Sequence, residues 1–173
     1  MKEMLRYGLI LALICAISGG LLAGVNMLTK PKIAQQKANE EKAALEEVMP
    51  QADRFEMMKG PGKPDYYKAF DKSGRFLGAV FKSSAKGYSS TIEVLTGMLK
   101  SGKIVAIKVL SQNETPGLGS QVSEDKFTGQ FSGKDSALSG VQAVTGATIS
   151  SRAVITCVKE KANEIKKLIA YEK

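Results

Sequence analysis

Residues 144–152 read VTGATISSR and lead directly into AVITCVK at 153–159, a run with helical spacing. Hydroxyl residues just before such a run indicate a helix N-terminus, because Ser and Thr side chains accept hydrogen bonds from the free N–H groups of the first turn. We therefore expect Thr148 or Ser150 to cap a final helix that runs from about Ser150 to Tyr171. Its predicted core face consists of Ile155, Val158, Ala162, Ile165 and Ile169.

The same helix end has a second interpretation. Free N–H groups and the helix dipole suit a phosphate group. Gly146 and Ala147 add a feature that a plain cap does not need, since they leave the backbone bare enough for a flat ligand to lie against it. From these residues alone, a simple cap and a phosphate site are both open.

Length and composition set limits on the function. The 173 residues suit one compact domain plus an anchor, and the formal charge of +8 favours anionic lipid or acidic partners. Nucleic acid is not expected as a partner, because the lysines are scattered and only 6% of residues are aromatic. The chain has no histidine. With only Cys15 and Cys157 besides, we predict neither a Ser–His catalytic site nor a metal site.

The N-terminal part of the chain predicts a membrane anchor. After a tail at residues 1–6, residues 7–29 carry no charge and are long enough to cross a bilayer as one helix. We interpret them as an uncleaved transmembrane helix rather than a signal peptide, followed by a helical stalk at residues 30–50. A partner-binding helix is the alternative for the stalk. Lysines after the span favour a cytoplasmic domain, but long domains translocate largely regardless of such charges.

Residues 51–173 are predicted to form the folded domain. Two hairpins are expected, because pairs of strand-like segments flank polar turns that end in glycine at Gly74 and Gly102. A short helix or turn is expected around Phe127 and Phe131. The predicted fold class is α+β, an antiparallel sheet packed with helices and preceded by one transmembrane helix.

A Gly- and Pro-containing loop, QNETPGLGS at 112–120, follows the second hairpin. It is either an ordinary connector or the wall of a site for a planar ligand. In the second case Leu118 would lie on the ring, while Glu114 and Thr115 would reach its edge.

The chain resembles the FMN-binding domain family and, within it, the G subunit of the Rnf complex. The resemblance rests on two motifs in order, ETPGLG at 114–119 and TGATISSRAV at 145–154, together with GY at 87–88 and the N-terminal anchor. The resemblance implies that Thr148, the second threonine of its motif, carries FMN through a phosphoester. Further flavin contacts are then expected from Thr145, Gly146, Ala147, Glu114, Thr115 and Leu118. Relatives often carry a histidine just before the Glu-Thr-Pro stretch, where this chain has Gln112 and Asn113.

The resemblance also implies a function, a location and partners. The chain is expected to be an electron-transfer subunit of an ion-translocating ferredoxin:NAD⁺ oxidoreductase, single-pass in the inner membrane, with its domain on the extracytoplasmic side. Expected partners are the other Rnf subunits, especially the membrane-embedded D subunit, a flavin transferase and the lipid bilayer. The alternatives are the flavin subunit of the related Na⁺-translocating NADH:quinone reductase and a flavin-free extracytoplasmic assembly or binding module.

Overall fold

A computed structural model of the chain describes residues 2–60 and 63–170. It divides into two compact units, Met1–Lys42 and Ala43–Lys173. The first helix, α1 (Lys2–Val48), is continuous through the segments predicted as transmembrane helix and stalk, with Pro31 inside it. Its part from Glu3 to Ile33 is long and apolar enough to cross a membrane, and the mean hydropathy reaches 2.3 over an 18-residue window within it.

The folded unit is built on a five-stranded antiparallel sheet in the order β1-β2-β3-β4-β5. The strands are β1 (Arg54–Gly60), β2 (Lys63–Phe70), β3 (Phe76–Lys86), β4 (Thr91–Leu99) and β5 (Ile104–Ser111). Both predicted hairpins are confirmed as β2–β3 and β4–β5, and the fold class is confirmed with them. Strand β1, paired along the edge of β2, was not predicted.

Helix α3 (Thr148–Ile169) covers one face of the sheet. Of its predicted core residues, four are fully buried and Ile155 is partly buried. Val154 and Cys157 are buried as well, since the apolar stripe is wider than the predicted one. The last predicted residue of this helix, Tyr171, lies outside the described residues.

Strand β5 departs from simple alternation. Ile104 pairs with Met98 and Ala106 with Gly97, which leaves Val105 as a bulge. The extra residue shifts the side-chain phase, so Ile104 and Ile107, three apart in sequence, are both buried in the cluster that packs under α3. Simple alternation, which would place Ile104 and Ala106 on the same face, therefore does not hold across the bulge.

The end of α1 packs on the opposite face of the sheet. Ala44, Leu45, Val48 and Met49 are buried there with Leu95 and other residues of the sheet. Gly97 makes the close approach feasible, because a Cβ at this position would lie only 2.2 Å from the Val48 carbonyl oxygen. This packing explains why the compact unit begins at Ala43, inside the segment predicted as a stalk.

Three short helical segments lie between β5 and α3. A 3₁₀ turn (Gly119–Ser123), helix α2 (Asp125–Thr128) and a second 3₁₀ turn (Gly129–Phe131) follow one another. The expected short helix around Phe127 and Phe131 is confirmed. Their rings meet edge-to-face in the core at 5.4 Å between centroids. Val122 of the first 3₁₀ turn is buried in the same cluster as Val154 of α3, which places this turn beside the start of the helix.

Candidate functional site

An open cleft of about 500 Å³ lies at the N-terminus of α3. This volume falls within the range of small-molecule sites in proteins. The lining comes from three separate parts of the sequence: Tyr88; Glu114, Thr115, Leu118 and Gly119; and Gly146, Ala147, Thr148, Ile149 and Ser150. The two motifs singled out in the sequence thus form the walls of one cavity.

Gly146 sets the path of the backbone into the helix. Its φ of +82° belongs to a region that glycine adopts without strain. A Cβ here would lie 3.4 Å from the Leu118 side chain, so the two loops nearly touch. Around this turn, the Ala147 N–H donates to the Val144 carbonyl at 3.0 Å, and the Val144 N–H donates to Ser151 Oγ at 3.0 Å.

No side chain among the described residues caps α3. The prediction that Thr148 or Ser150 serves as the cap is wrong, because the cap position is taken by Ala147, which has no side-chain oxygen. The first intrahelical bond runs from Ser151 N–H to the Ala147 carbonyl at 2.9 Å. The N–H groups of residues 148–150 therefore have no intrahelical acceptor, which suits the helix end to an anion.

Thr148 is the first residue of α3 and is exposed to the cleft. Its neighbours differ, since Ile149 is exposed whereas Ser150 and Ser151 are buried. The sequence motif thus combines side chains that face the cleft with side chains that fix the helix to the domain.

Glu114 is the most heavily bonded side chain of the site. It is buried, and its two carboxylate oxygens accept five hydrogen bonds. The donors are the N–H groups of Tyr88 (3.0 Å), Ser89 (3.0 Å) and Ser90 (2.8 Å), the Ser90 hydroxyl (3.1 Å) and the Ser150 hydroxyl.

Burial alone raises the pKa of Glu114, but the hydrogen bonds from Ser150, Ser90, Ser89 and Tyr88 outweigh it and lower the pKa to about 2. Two glycines allow this carboxylate to be enclosed. A Cβ at Gly87 would come within 2.7 Å of Glu114 Oε1, and one at Gly119 within 2.7 Å of Glu114 Cβ. The carboxylate is therefore an ionised, enclosed part of the wall.

The loop after Glu114 presents an apolar side chain to the cleft. The Thr115 carbonyl accepts from the N–H groups of Leu118 and Ser120, both at 3.2 Å. Gly117 takes a φ of +73°. The Leu118 side chain stays 49% exposed at the cleft.

Tyr88 and Ile149 extend the apolar rim of the cleft, with 69% and 57% of their surface exposed. Neither was predicted as a site residue. The sequence feature that could have indicated Ile149 is its position directly after Thr148 in the motif. Gln112 has a local role, because its side-chain oxygen accepts from the Glu114 N–H at 2.8 Å.

Thr145 is not brought to this cleft. It lines a separate cavity of about 290 Å³ beside Gln130 and Gln142. These two glutamines hold the segment in place, since the Gln142 N–H donates to Gln130 Oε1 at 2.8 Å and the Gln130 amide donates back to the Gln142 carbonyl. The turn at Gly146 separates Thr145 from Thr148.

An apolar N-terminal helix long enough to span a membrane, followed by a sheet domain whose last helix begins uncapped at an open cleft, is typical of a membrane-anchored protein with a ligand-binding domain. Residues 87–163 match the FMN-binding domain family, and residues 1–48 match the RnfG N-terminal region. The chain belongs to the RnfG family, the G subunits of ion-translocating oxidoreductase complexes.

Curated relatives cover almost the whole chain. The G subunit of the proton-translocating ferredoxin:NAD(+) oxidoreductase complex of Clostridium ljungdahlii is 35% identical, over 90% of this chain and 88% of that one. The G subunit of the Na(+)-translocating ferredoxin:NAD(+) oxidoreductase complex of Acetobacterium woodii is 30% identical, over 91% and 89%. The G subunit of the ion-translocating oxidoreductase complex of Methanosarcina acetivorans is 32% identical, over 89% and 90%.

Solved structures share the fold. NqrC of Shewanella oneidensis superposes with a TM-score of 0.56 at 21% identity, over 70% of this chain and 73% of that one. The C subunit of the Na(+)-translocating NADH-quinone reductase of Parabacteroides distasonis gives a TM-score of 0.52 at 18% identity, over 63% and 64%. The antiparallel sheet packed with helices is therefore a known architecture.

Proposed function

We propose that this chain is the electron-transfer subunit that carries FMN in an ion-translocating ferredoxin:NAD⁺ oxidoreductase complex, with the FMN phosphate esterified to the Thr148 hydroxyl. The observation that carries the proposal is the exposed Thr148 hydroxyl at the first residue of an uncapped helix, at the mouth of the cleft. FMN supplies the redox chemistry when it is bound, and the protein supplies position and electrostatics.

The residues present fit a covalently held flavin phosphate. The N–H groups of residues 148–150 are free of intrahelical acceptors and lie at the positive end of the helix dipole. None of the described lining residues of this cleft is Lys or Arg, so these N–H groups are the donors that meet the negative charge of a phosphodiester. Thr148 fixes the phosphate where the donors converge.

The walls of the cleft fit a flat ring system. Gly146 offers bare, exposed backbone, whereas Ala147 is buried, and Leu118 and Ile149 offer exposed apolar surface. Such surface binds an aromatic ring by burial and dispersion. Glu114 adds little repulsion, because its charge is compensated by five donors.

Attachment calls for a separate flavin transferase. The chain contains no histidine, and both oxygens of Glu114, the acidic residue of the cleft lining, already accept hydrogen bonds. No described side chain of the cleft is thus placed to take the Thr148 proton. The other partners under this proposal are the remaining subunits of the complex, in particular the membrane-embedded D subunit.

Sequence similarity favours this function over the flavin subunit of a Na⁺-translocating NADH:quinone reductase. The RnfG-type relatives are 30–35% identical over 89–91% of this chain, whereas the two NqrC-type structures are 18–21% identical. A flavin-free assembly module, the other candidate, would have no use for a hydroxyl at position 148.

The proposal places α1 in the inner membrane and the domain on the extracytoplasmic side. A Ser73→Cys variant tests this in intact cells, because Ser73 is exposed in the β2–β3 turn. Cys15 lies in the apolar segment of α1, so Cys15→Ser removes the background. A membrane-impermeant thiol reagent should label Cys at position 73 before lysis. Labelling only after lysis reverses the orientation.

The flavin itself is tested on the full-length chain isolated from membranes that contain a flavin transferase. Denatured protein should fluoresce as flavin in a gel, and its intact mass should exceed that of the sequence by FMN less one water. A chain with neither property, from cells whose transferase flavinylates another protein, is a flavin-free module.

A further inference from the structure

The carboxylate of Glu114 joins three segments that are far apart in sequence, and one of them is the turn that carries Thr148. We propose that Glu114 and Ser150 form a positioning latch, in which the Ser150 hydroxyl bonded to Glu114 turns the first turn of α3 so that Thr148 faces the flavin donor during attachment. The inference rests on the proposed function and assigns to Glu114 a positioning role in place of a direct flavin contact.

The geometry of α3 links the two side chains. Consecutive helical residues are about 100° apart around the axis, so residues two apart point to nearly opposite sides. Ser150 is 1% exposed and is held inward by its hydrogen bond to Glu114. Thr148 is consequently directed outward into the cleft, where it is exposed.

At the other end of the latch, the Glu114 carboxylate is bonded to the backbone that follows β3. Glu114 Oε1 accepts from the N–H groups of Ser89 and Ser90, and Oε2 accepts from Tyr88 N–H as well as from Ser150. These three successive N–H groups follow β3, a central strand of the sheet. Through Glu114, the start of α3 is therefore tied to the sheet.

Glu114 has little capacity left for a ligand. Both oxygens are occupied, and the carboxylate is enclosed by Gly87 and Gly119, where a Cβ would meet Glu114 atoms at 2.7 Å. A buried charge with its donors in place is costly to disturb. The residue thus acts on the site through Ser150.

The step that depends on this placement is transfer of the flavin phosphate. A phosphoester needs an activated donor, and a flavin dinucleotide such as FAD provides one in its pyrophosphate bond. Thr148 Oγ1 forms a bond to the phosphorus that bears the flavin, the pyrophosphate bond breaks, and AMP leaves. The hydroxyl proton is taken up by the transferase and released to solvent. Transfer in line requires the hydroxyl in one orientation, and small misplacements of reacting atoms slow such steps strongly.

The experiment measures attachment to the full-length chain in detergent, with purified transferase and FAD, by flavin fluorescence of the denatured product. Ser150→Ala should lower kcat for attachment about tenfold, the effect expected for one hydrogen bond to a charged group. The KM for the chain should stay within about twofold, because the recognised surface is unchanged. Ser150→Thr restores the hydroxyl and should recover most of kcat.

Ser83→Ala is the matched control. Ser83 is also a buried serine whose hydroxyl contacts α3, at Cys157, but it lies away from the cleft. This variant should attach flavin at the wild-type rate. Hydrogen exchange adds a direct readout: Ser150→Ala should speed exchange at the amides of 88–90, which donate to Glu114, and at those of 151–152 in the first turn of α3, whereas Ser83→Ala should leave them unchanged.

A second pair covers the case in which Ser150→Ala does not fold. Ser90→Ala removes one hydroxyl donor from the other oxygen of Glu114 and should lower kcat by a smaller factor than Ser150→Ala. Glu93 is exposed, so Glu93→Gln makes the same change of charge elsewhere and is the control for Glu114→Gln. Glu114→Gln should slow attachment and Glu93→Gln should not.

Two failures remain distinguishable. If wild-type chain accepts no flavin, the proposed function falls. If wild-type chain accepts flavin and folded Ser150→Ala, or failing that folded Ser90→Ala and Glu114→Gln, accept it with wild-type kcat, the latch is overturned while the flavin site stands.

Discussion

Helix α3 has two ends that are held in different ways. At the N-terminal end the buried residues Ser150 and Ser151 use hydroxyl groups in hydrogen bonds, and Thr148 is exposed at an open cleft. In the C-terminal half, Ala162, Ile165 and Ile169 are fully buried against the sheet. One end is held by directional bonds, and the other by apolar burial.

This difference separates reactivity from stability. Apolar packing at the C-terminal half fixes the helix on the sheet without engaging the cleft, because hydrophobic burial has no directional requirement. The N-terminal end can then leave its N–H groups uncapped at a modest cost of about 1 kcal/mol. Substitution of Thr148 should therefore remove the flavin without loss of stability, whereas truncation of a buried apolar side chain in the C-terminal half should lower stability without preventing attachment.

Thr148→Val should give the largest effect, complete loss of covalent flavin in an otherwise folded and membrane-bound chain. The melting temperature of flavin-free protein should not fall, because Thr148 is exposed and is not the cap. Intact mass measures the outcome. Thr156→Val, an exposed change further along α3, is the control and should keep its flavin. Thr148→Ser keeps a hydroxyl and should be partly flavinylated. Full flavinylation of Thr148→Val would show that Thr148 is not the residue that carries the flavin.

Ile165→Ala should show the reverse pattern. The side chain is fully buried between α3 and the sheet, so its truncation should cost about 2–5 kcal/mol of unfolding free energy. Covalent flavin should still be found on the fraction that folds at low temperature. Denaturant unfolding followed by circular dichroism measures the loss. A change below about 0.5 kcal/mol, typical of surface positions, would contradict the separation of the two ends.

The pH dependence of stability should report Glu114 at the N-terminal end. Its pKa is lowered to about 2 in the folded protein, from an ordinary value of 4.5. Its contribution is therefore fully present above about pH 4.5 and is lost as the pH falls toward 2. Glu114→Gln should be less stable than wild type at neutral pH, and the gap should narrow with acid. Melting temperatures between about pH 6 and pH 3 test this. A constant gap would mean that the carboxylate charge is not what stabilises the fold.

Leu118→Ala should give the smallest effect. The side chain is half exposed at the cleft, so stability should change little, while flavin stays attached and its absorption spectrum and potential shift. Met57→Ala, a similarly exposed apolar change on β1, is the control and should leave both unchanged. An unaltered spectrum and potential in Leu118→Ala would make this loop a connector.

The turn residues of the sequence were sufficient to predict the two hairpins β2–β3 and β4–β5. Gly74 and Gly102 end polar turns in the sequence, and both adopt positive φ, at 76° and 83°. Strand β1 escaped prediction because its seven residues include adjacent methionines, Met57 and Met58, that interrupt alternation. Strand β1 forms because it pairs with β2 at the edge of the sheet, and the strand propensity of its own residues carries no information about that pairing.

The two sequence motifs that line the cleft could be predicted, but the position of each side chain could not. The motifs around Glu114 and Thr148 do meet in one cavity, whereas Thr145 is turned away by the backbone at Gly146. The cap was mispredicted because Ser150 bonds to Glu114, which lies 36 positions away in the sequence. Capping rules consider only neighbouring residues, so a long-range acceptor of this kind is invisible to them.

The burial of the last turns of α1 also decides where a water-soluble form of the domain has to start. A fragment beginning at Gln51 would lack the apolar side chains of Ala44, Leu45, Val48 and Met49, which are buried on the sheet. The uncovered strip would expose apolar surface of the kind that drives aggregation. A fragment that starts just before Ala43 keeps this cover while omitting the apolar segment up to Ile33. Detergent-free samples for electrochemistry therefore need a cut within the helix.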